Sequence, residues 1–324
     1  MDIHRQGGSP VTIPYTTGVH RLADDTYAYL QGTCATGYSN AGLVCSGDEA
    51  LLVDTLYTLD QTRNMLGAIA ESVPGPDICW VVNTHHDGDH WWGNQLVADA
   101  VIVSSTAAAH TMRKAGPETV VPYLSPETDP RLRAILEPFD FSGITPTYPT
   151  VTFSGEMELT VGKRTVRVLE VGPAHSVGDV IVHVPDERVV YAGDIQVFGS
   201  HGVIHSGPVA NFIKACDTII GLDVDTVVPG HGPVGGKAEV VRFRDYLERV
   251  QAHATAAHQR GQTPIEAARE FDFAEFADLE YGERVILNIG AVYRELNADG
   301  TPGPGQMLHD MVDLEETLKA KVTV

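Results

Sequence analysis

Short apolar runs alternate with segments of helical periodicity in the first part of the chain. Residues 50–55 (ALLVDT) predict a buried strand, and residues 59–73 (LDQTRNMLGAIAESV) carry apolar side chains at helical spacing after an acidic first turn. Residues 78–84 (ICWVVNT) predict a second strand, and a third at 100–105 (AVIVSS) leads into a helix over 106–116. This order is typical of successive β/α units.

Residues 117–150 break the pattern, because they are rich in proline and show helical periodicity only near 130–137. A long irregular segment inside a compact domain is commonly a lid or a binding loop. We therefore predict a lid-like insertion at this place.

The second half begins with four short β-branched runs between residues 157 and 194, separated by Gly, Pro and Asp turns. A helix over 207–222 and one more strand over 225–230 follow, and from 237 to about 297 the chain is mainly helical. Two sheets packed between layers of helices account for the whole pattern without two independent domains.

Charge and cysteine content narrow the function classes. The 324 residues include 22 Lys and Arg against 43 Asp and Glu, a net charge of −21. Such an acidic surface repels phosphate backbones and anionic membranes, so we expect a small-molecule substrate and neither nucleic acid nor a membrane as partner. The chain shows no signal-peptide pattern, no spanning apolar run and only four dispersed cysteines, which together predict a cytoplasmic protein.

Candidate metal ligands follow four of the β-type runs. The segments 81–90 (VVNTHHDGDH), 169–179 (LEVGPAHSVGD), 189–194 (VVYAGD) and 226–232 (TVVPGHG) each place His or Asp just before a turn. The carboxyl ends of strands meet at one edge of a sheet, so these side chains can converge although they are distant in sequence. Imidazole and carboxylate together suit zinc and neighbouring transition metals.

These motifs resemble those of the metallo-β-lactamase superfamily, whose ordered pattern is H-x-H-x-D-H, then a histidine in G-x-x-H-(S/T)-x-G-D, an aspartate in GD and a histidine in GHG. The matching residues of this chain are His85, Asp89, His90, His175, Asp194 and His231. Residues 39–55 also match the entry hairpin of the family, including Asp54 at its end.

The resemblance runs from about residue 19 to 235 and implies a four-layer αββα sandwich. It implies a domain over 19–235, which includes the 117–150 insertion. Residues 1–18 then form an N-terminal arm, and residues 236–324 form a helical C-terminal extension packed on the same domain.

One position departs from the family pattern, because Asp87 stands where the second histidine of H-x-H is due. The family arrangement implies two divalent ions, with Zn²⁺ expected and Mn²⁺ or Fe²⁺ as alternatives. Two ions (+4), one hydroxide (−1) and the usual two aspartates (−2) leave +1, and Asp87 brings the cluster to zero. Alternatively, Asp87 does not ligate and a single ion binds. The implied ligand sets are His85, Asp87 and His175 for one ion and Asp89, His90 and His231 for the other, with Asp194 between them.

The chemistry that this resemblance implies is hydrolysis. A divalent ion lowers the pKa of its bound water toward about 7, and Asp89 is the residue expected to orient the resulting hydroxide. A neutral cluster favours neutral carbonyl substrates, so we predict cleavage of a carboxylic ester, a thioester or a lactone. Two alternatives are an aromatic polyketide thioesterase-cyclase of the same superfamily and a non-hydrolytic member that binds iron or only a ligand.

Several residues near these motifs are candidates for contact with the substrate. His86 and Trp92 lie beside the ligands of the first motif; packing of the helix start is the favoured interpretation of Trp92, and stacking on the substrate is the alternative. His201 and His205 lie in the loop that follows Asp194. The apolar face of residues 275–296 favours either packing within the chain or a homodimer.

Overall fold

The computed structural model describes residues 13–296 and 301–322. Residues 1–12 of the predicted N-terminal arm therefore lie outside the described residues. The first strand begins at Gly18.

The first sheet has seven strands in sequence order. The first four strands pair antiparallel, and the last four, β4 to β7, pair parallel. This is the arrangement expected of an entry hairpin followed by β/α units. The strands are β1 (Gly18–Arg21), β2 (Thr26–Leu30), β3 (Ala41–Ser46), β4 (Glu49–Val53), β5 (Asp77–Val82), β6 (Val101–Ser105) and β7 (Val151–Phe153).

The second sheet has five strands in the order β12-β11-β10-β9-β8. Strands β8 to β11 form an antiparallel meander, and β12 returns parallel to β11 after a helical connection. The strands are β8 (Glu156–Val161), β9 (Arg164–Glu170), β10 (Val180–Val184), β11 (Val189–Tyr191) and β12 (Thr226–Val228).

A valine-rich core joins the two sheets face to face. Tyr191 crosses this core, and its hydroxyl donates to the carbonyl of Tyr27 at 2.9 Å. The ring lies directly over Gly42, where a Cβ atom would stand 2.3 Å from it. Only glycine leaves room for this contact, so the entry hairpin and the second sheet are closely joined.

Helices cover both outer faces of the sandwich. Helix α1 follows β4 and begins with a capping box formed by Thr58 and Gln61. Its buried side chains pack on the outer face of the first sheet. The helices that connect strands are α1 (Leu59–Ser72), α2 (Gly88–Trp91), α3 (Thr106–Met112), α4 (Pro130–Leu136) and α5 (Val209–Gly221).

The 117–150 segment contains α4 and two 3-10 turns at Pro117–Thr119 and Val121–Leu124. Its aromatic side chains pack against the end of α2 in one cluster. Tyr57 is central to that cluster, since it stacks on Trp92 and meets Phe139 and Phe141 edge to face.

The C-terminal extension packs on the second sheet and on α5. The apolar face predicted within 275–296 belongs largely to α8, which is covered by α6, α7 and α9 of the same chain. No helix within the described ranges is long and apolar enough to cross a membrane. The helices are α6 (Lys237–Gln259), α7 (Pro264–Arg269), α8 (Val285–Glu295) and α9 (Pro304–Val322).

Two sheets between helical layers, followed by a helical extension, confirm the predicted αββα fold class.

Candidate metal centre

The predicted ligands come together at the carboxyl ends of strands from both sheets. The first motif follows β5, and its acidic and histidine side chains continue into α2. The other three segments follow β9, β11 and β12. In the described part of the chain, three groups have their donor atoms within 4.8 Å of one another: His85, Asp87 and His175; Asp89, His90 and His231; and His85, His90 and Asp194.

The spacing of the first group suits one small cation. Asp87 Oδ2 lies 3.0 Å from His175 Nε2 and 3.6 Å from His85 Nε2. Ligands that hold Zn²⁺ tetrahedrally at their usual bond lengths stand about 3.4 Å apart. Asp87 therefore occupies a position from which its carboxylate can reach the same ion as the two histidines.

The second group has similar spacing, and Asp194 lies between the two groups. His231 Nε2 is 3.3 Å from Asp89 Oδ2. Asp194 Oδ1 is 3.2 Å from His90 Nε2, and its Oδ2 is 3.6 Å from both His175 and His231. One carboxylate thus faces ligands of both predicted ions.

Buried polar atoms without partners indicate what this cluster is built to hold. Nε2 of His85, Nε2 of His90 and Oδ1 of Asp194 make no hydrogen bond to any described residue. Leaving such atoms unpaired costs about 1–3 kcal/mol each. Since the three belong to one group of converging donors, a divalent cation is the ligand that fits them.

Asp54 orients two of the histidines. It directly follows β4 with a positive φ of 63°, a conformation that aspartate tolerates better than most residues. Its Oδ2 accepts from His90 Nδ1 at 2.8 Å and from the hydroxyl of Thr84 at 2.8 Å. The Thr84 oxygen in turn accepts from His85 Nδ1 at 2.9 Å. These bonds direct Nε2 of both histidines into the cluster.

His175 is oriented by backbone groups. Its Nδ1 donates to the carbonyl of Val203 at 2.7 Å. The turn that carries it is closed by Asp179, whose carboxylate accepts from the amides of Ala174 and Ser176. These bonds explain why the motif ends in aspartate, because that residue holds the turn rather than a metal.

Glycines allow the Asp194 carboxylate to reach the centre. A Cβ atom at Gly230 would stand 1.9 Å from Asp194 Oδ1. Gly193 adopts a φ of +50°, and a side chain there would collide with Thr84. The glycines that precede Asp194 and His231 therefore serve close approach, not flexibility.

In the metal-free protein His175 and His90 hold protons. Burial opposes the charged form, but the carboxylates of Asp194 and Asp87 raise the pKa of His175 to about 10. Likewise, against the effect of burial, Asp194, Asp89 and Asp54 raise the pKa of His90 well above its usual range. Two imidazolium groups thus balance the acidic cluster until a cation displaces their protons.

Four histidine side chains lie within 4 Å of the Asp87 carboxylate. It occupies the position before α2 where aspartate usually caps a helix, yet its carboxylate makes no bond to that helix. His86 Nε2 lies 3.5 Å from its Oδ1, and His205 Nε2 lies 3.6 Å from its Oδ2. Two of the candidate substrate-contact residues are therefore neighbours of Asp87.

The other two candidates lie away from the centre. Trp92 is buried, stacks on Tyr57, and donates from Nε1 to the carbonyl of Ala115 at 3.0 Å. His201 is buried between the rings of Tyr246 and Phe273. Burial lowers the pKa of His201 to about 4, so it is neutral at physiological pH. Neither side chain lines the pocket beside the ligands, because both are packed into aromatic clusters.

That pocket encloses about 110 Å³. Arg284, from the C-terminal extension, belongs to its wall, and sequence reasoning did not assign it to the site. No local motif marks it, since it comes close to the ligands only through the packing of the extension. The lining residues are Thr36, Gly37, Asp87, Asp89, His175, Asp194, Val197, Gly202, Val203, His205, His231 and Arg284.

Comparison with known proteins agrees with this site. A family model described as the metallo-beta-lactamase superfamily matches residues 35–231, more than half of the chain. The chain belongs to that superfamily. The matched range contains all seven predicted ligands and ends at His231.

One relative by sequence is the alpha subunit of 2,4-dinitroanisole O-demethylase from Nocardioides sp. (strain JS1661). It is 23% identical over 194 residues, which cover 58% of this chain and 51% of that protein. The chain thus spans about half the length of this relative.

Solved structures share the fold at low identity. The stereoselective inverting sec-alkylsulfatase Pisa1 from Pseudomonas sp. superposes with a TM-score of 0.69 and 16% identity, over 89% of this chain and 51% of the other. A metallo-beta-lactamase from Pontibacter korlensis gives a TM-score of 0.53 and 18% identity, over 72% of this chain and 99% of that one. Because the alkylsulfatase matches 89% of this chain, the similarity includes part of the sequence after residue 235.

Proposed function

We propose that the protein is a metal-dependent hydrolase that cleaves an ester bond in a small molecule, whether a carboxylic ester, a thioester or a lactone. The observation that carries this proposal is the convergence of four histidines and three aspartates, three of which have a buried donor atom without a hydrogen-bond partner among the described residues. The superfamily match over residues 35–231 supports a hydrolase of this fold.

The ligand sets proposed from the sequence fit these donors. His85, Asp87 and His175 would hold the first ion, and Asp194 would face both ions. Zn²⁺ is the proposed ion, since imidazole and carboxylate oxygen suit it, and the added oxygen of Asp87 also admits Mn²⁺ or Fe²⁺. When bound, such ions act as Lewis acids and make water a nucleophile near neutral pH. The second ion would take Asp89, His90 and His231.

Asp89 is proposed to orient the attacking water. Its carboxylate lines the pocket, and its Oδ2 lies 3.3 Å from His231 Nε2. The backbone carbonyl of the same residue accepts from the hydroxyl of Ser39, which anchors the turn. A fixed carboxylate at the pocket wall can accept a proton from water and hold its oxygen in line with a carbonyl carbon.

The pocket supports a small substrate. Its space of about 110 Å³ admits the reacting group and a few further atoms. Val197 and Val203 supply its apolar wall, whereas the ligands supply the polar floor.

Metal removal and a substrate panel test this proposal. Chelator-treated protein is reloaded separately with Zn²⁺, Mn²⁺ and Fe²⁺, and assayed on p-nitrophenyl esters, acyl thioesters and lactones. Hydrolysis that is lost on chelation and restored by one of these ions is the expected result. The panel also includes bis-p-nitrophenyl phosphate, an alkyl sulfate and an aryl methyl ether, the last two because of the relatives' names. Activity confined to the phosphodiester, the alkyl sulfate and the aryl methyl ether would overturn the proposed substrate class.

A further inference from the structure

Arg284 reaches the metal-ligand pocket from outside the 35–231 range that matches the superfamily. It immediately precedes α8 in the C-terminal extension. Among the residues that line the pocket it is the only Arg or Lys. The extension therefore contributes a cationic group to a wall that otherwise consists of metal ligands, His205 and small or apolar side chains.

The Arg284 guanidinium is held in place by neutral groups. Its two terminal nitrogens donate at 3.2–3.5 Å to the hydroxyls of Ser200 and Thr36 and to the carbonyls of His201 and Cys34. The ring of Tyr281 lies 4.2 Å from the guanidinium carbon. These contacts restrict the side chain without neutralising its charge.

No described carboxylate forms an ion pair with Arg284. Arg164, which is buried, differs in this respect. Arg164 is 9% exposed and pairs with three carboxylates, those of Asp25, Asp186 and Glu187. Burial lowers the pKa of Arg284, as expected for a charge that is incompletely compensated.

The net charge of the pocket determines which substrate charge it would prefer. The two-ion cluster with three aspartates and one hydroxide is neutral, so Arg284 leaves one positive charge on the pocket. An anion would replace some of the contacts of the terminal nitrogens to neutral oxygens at 3.2–3.5 Å, and the planar guanidinium could then bind both oxygens of a carboxylate or a related oxyanion. A substrate with one negative charge would complete this arrangement.

We propose that Arg284 binds an anionic group on a part of the substrate that does not react, and hence that the preferred substrate is a small ester with a carboxylate, sulfonate or phosphonate substituent. This inference rests on the proposed ester hydrolysis. In this proposal the C-terminal extension selects substrates by their charge, and the residues of the superfamily motif carry out the reaction.

The test compares an anionic p-nitrophenyl ester with a neutral counterpart, both followed by release of p-nitrophenolate. The first is p-nitrophenyl hemisuccinate, and the second is its methyl ester. Wild-type protein is expected to prefer the anionic ester in kcat/KM, and Arg284→Met is expected to reduce that preference by about tenfold or more. Arg284→Lys should keep part of it, because the charge remains but the planar pair of donors is lost. Unchanged preference in Arg284→Met would overturn the proposal.

Arg294→Met is the matched control. Arg294 also lacks an ion pair to any described carboxylate, and its contact is with the carbonyl of His205 at 3.4 Å, but it does not line the pocket. This variant is expected to keep the wild-type preference, and an equal loss in both variants would show a general effect of surface charge and contradict the assignment.

A binding measurement separates this inference from the proposed function. Metal-loaded protein is titrated calorimetrically with succinate and with the neutral succinamide. If no ester is hydrolysed, the ester-hydrolase proposal fails on its own panel, while tighter binding of succinate that weakens about tenfold in Arg284→Met would still support the anion site. Succinate binding that Arg284→Met leaves intact would assign the anion to the metal ions and refute the role of Arg284.

Discussion

The two halves of the candidate metal centre differ in how firmly the fold holds them. In the second group, His90 is fully buried and is bonded to the buried carboxylate of Asp54. In the first group, the side chain of Asp87 is 27% exposed and has no bond to the helix it precedes. The one departure from the family motif is thus the most exposed of the seven predicted ligands.

This contrast teaches which part of the centre can vary. A ligand that is fixed by buried neighbours cannot change type without disturbing the core, because its partner would be left unpaired. Asp87 replaces a histidine where the surrounding side chains, His86 and the half-exposed His205, can adjust. We therefore expect the second group to bind its ion in the usual way and the first to be the weaker site.

Loss of the Asp89 carboxylate charge should have the largest effect on turnover. Asp89→Asn keeps the size of the side chain but cannot accept a proton from water, so kcat is expected to fall by about 10²–10⁴-fold. Steady-state kinetics and thermal melting of the metal-loaded variant provide the measurement. Retained activity in a variant that melts like the wild type would exclude Asp89 from orienting the nucleophile.

Asp87 allows a direct test of the difference between the groups. Asp87→Ala removes the only carboxylate of the first group, so metal content is expected to fall from two equivalents to one. Asp87→His restores the family pattern and is expected to keep two. Elemental analysis of purified protein decides this, and a single equivalent in wild type that Asp87→Ala leaves unchanged would contradict the two-ion arrangement.

The orienting role of Asp54 predicts a smaller effect that both groups share. Asp54→Asn preserves size and tolerates the positive φ, but it removes the charge that accepts from His90 and Thr84. Metal affinity is expected to fall by about 10–100-fold. Competition with a chromophoric chelator measures it. A loss confined to the ion of the second group would show that the hydrogen bond through Thr84 to His85 has no influence.

Local pattern was sufficient for most of the architecture. The helix predicted over 59–73 is observed at Leu59–Ser72, and the helical patch near 130–137 is observed at Pro130–Leu136. Each of these segments combines strong periodicity with a defined first turn, so local interactions determine it. The predicted ligands also converge, because the carboxyl ends of strands in one sandwich share an edge.

What sequence reasoning missed depends on contacts between distant segments. Arg284 meets the carbonyl of Cys34, which lies 250 positions earlier in the chain. His201 and Trp92 resembled pocket residues by position, but aromatic neighbours from α6 and from the 117–150 segment bury them. Such contacts depend on how helices pack on a sheet, and no short sequence motif predicts them.

The two groups can also be compared by the protons that their histidines hold in the metal-free protein. In the metal-free protein His175, of the first group, has its pKa raised to about 10, and the pKa of His90, of the second, is also raised well above its usual range. An ion binds only the neutral imidazole, so below these values it must displace a proton from each group. Apparent affinity should therefore rise with pH, by about tenfold per unit for each proton displaced, and for His175 it should level off only near pH 10.

Titration calorimetry in buffers of different ionisation enthalpy counts the protons released at pH 7–8. About one proton per ion is expected from the histidines of both groups, in addition to the one proton released when a bound water becomes the hydroxide of the cluster, and Asp87→Ala serves to isolate the second group. Histidines with ordinary pKa values would already be neutral at this pH and would release almost none. Release of no more than the one proton that forms the hydroxide would therefore contradict the imidazolium–carboxylate pairs.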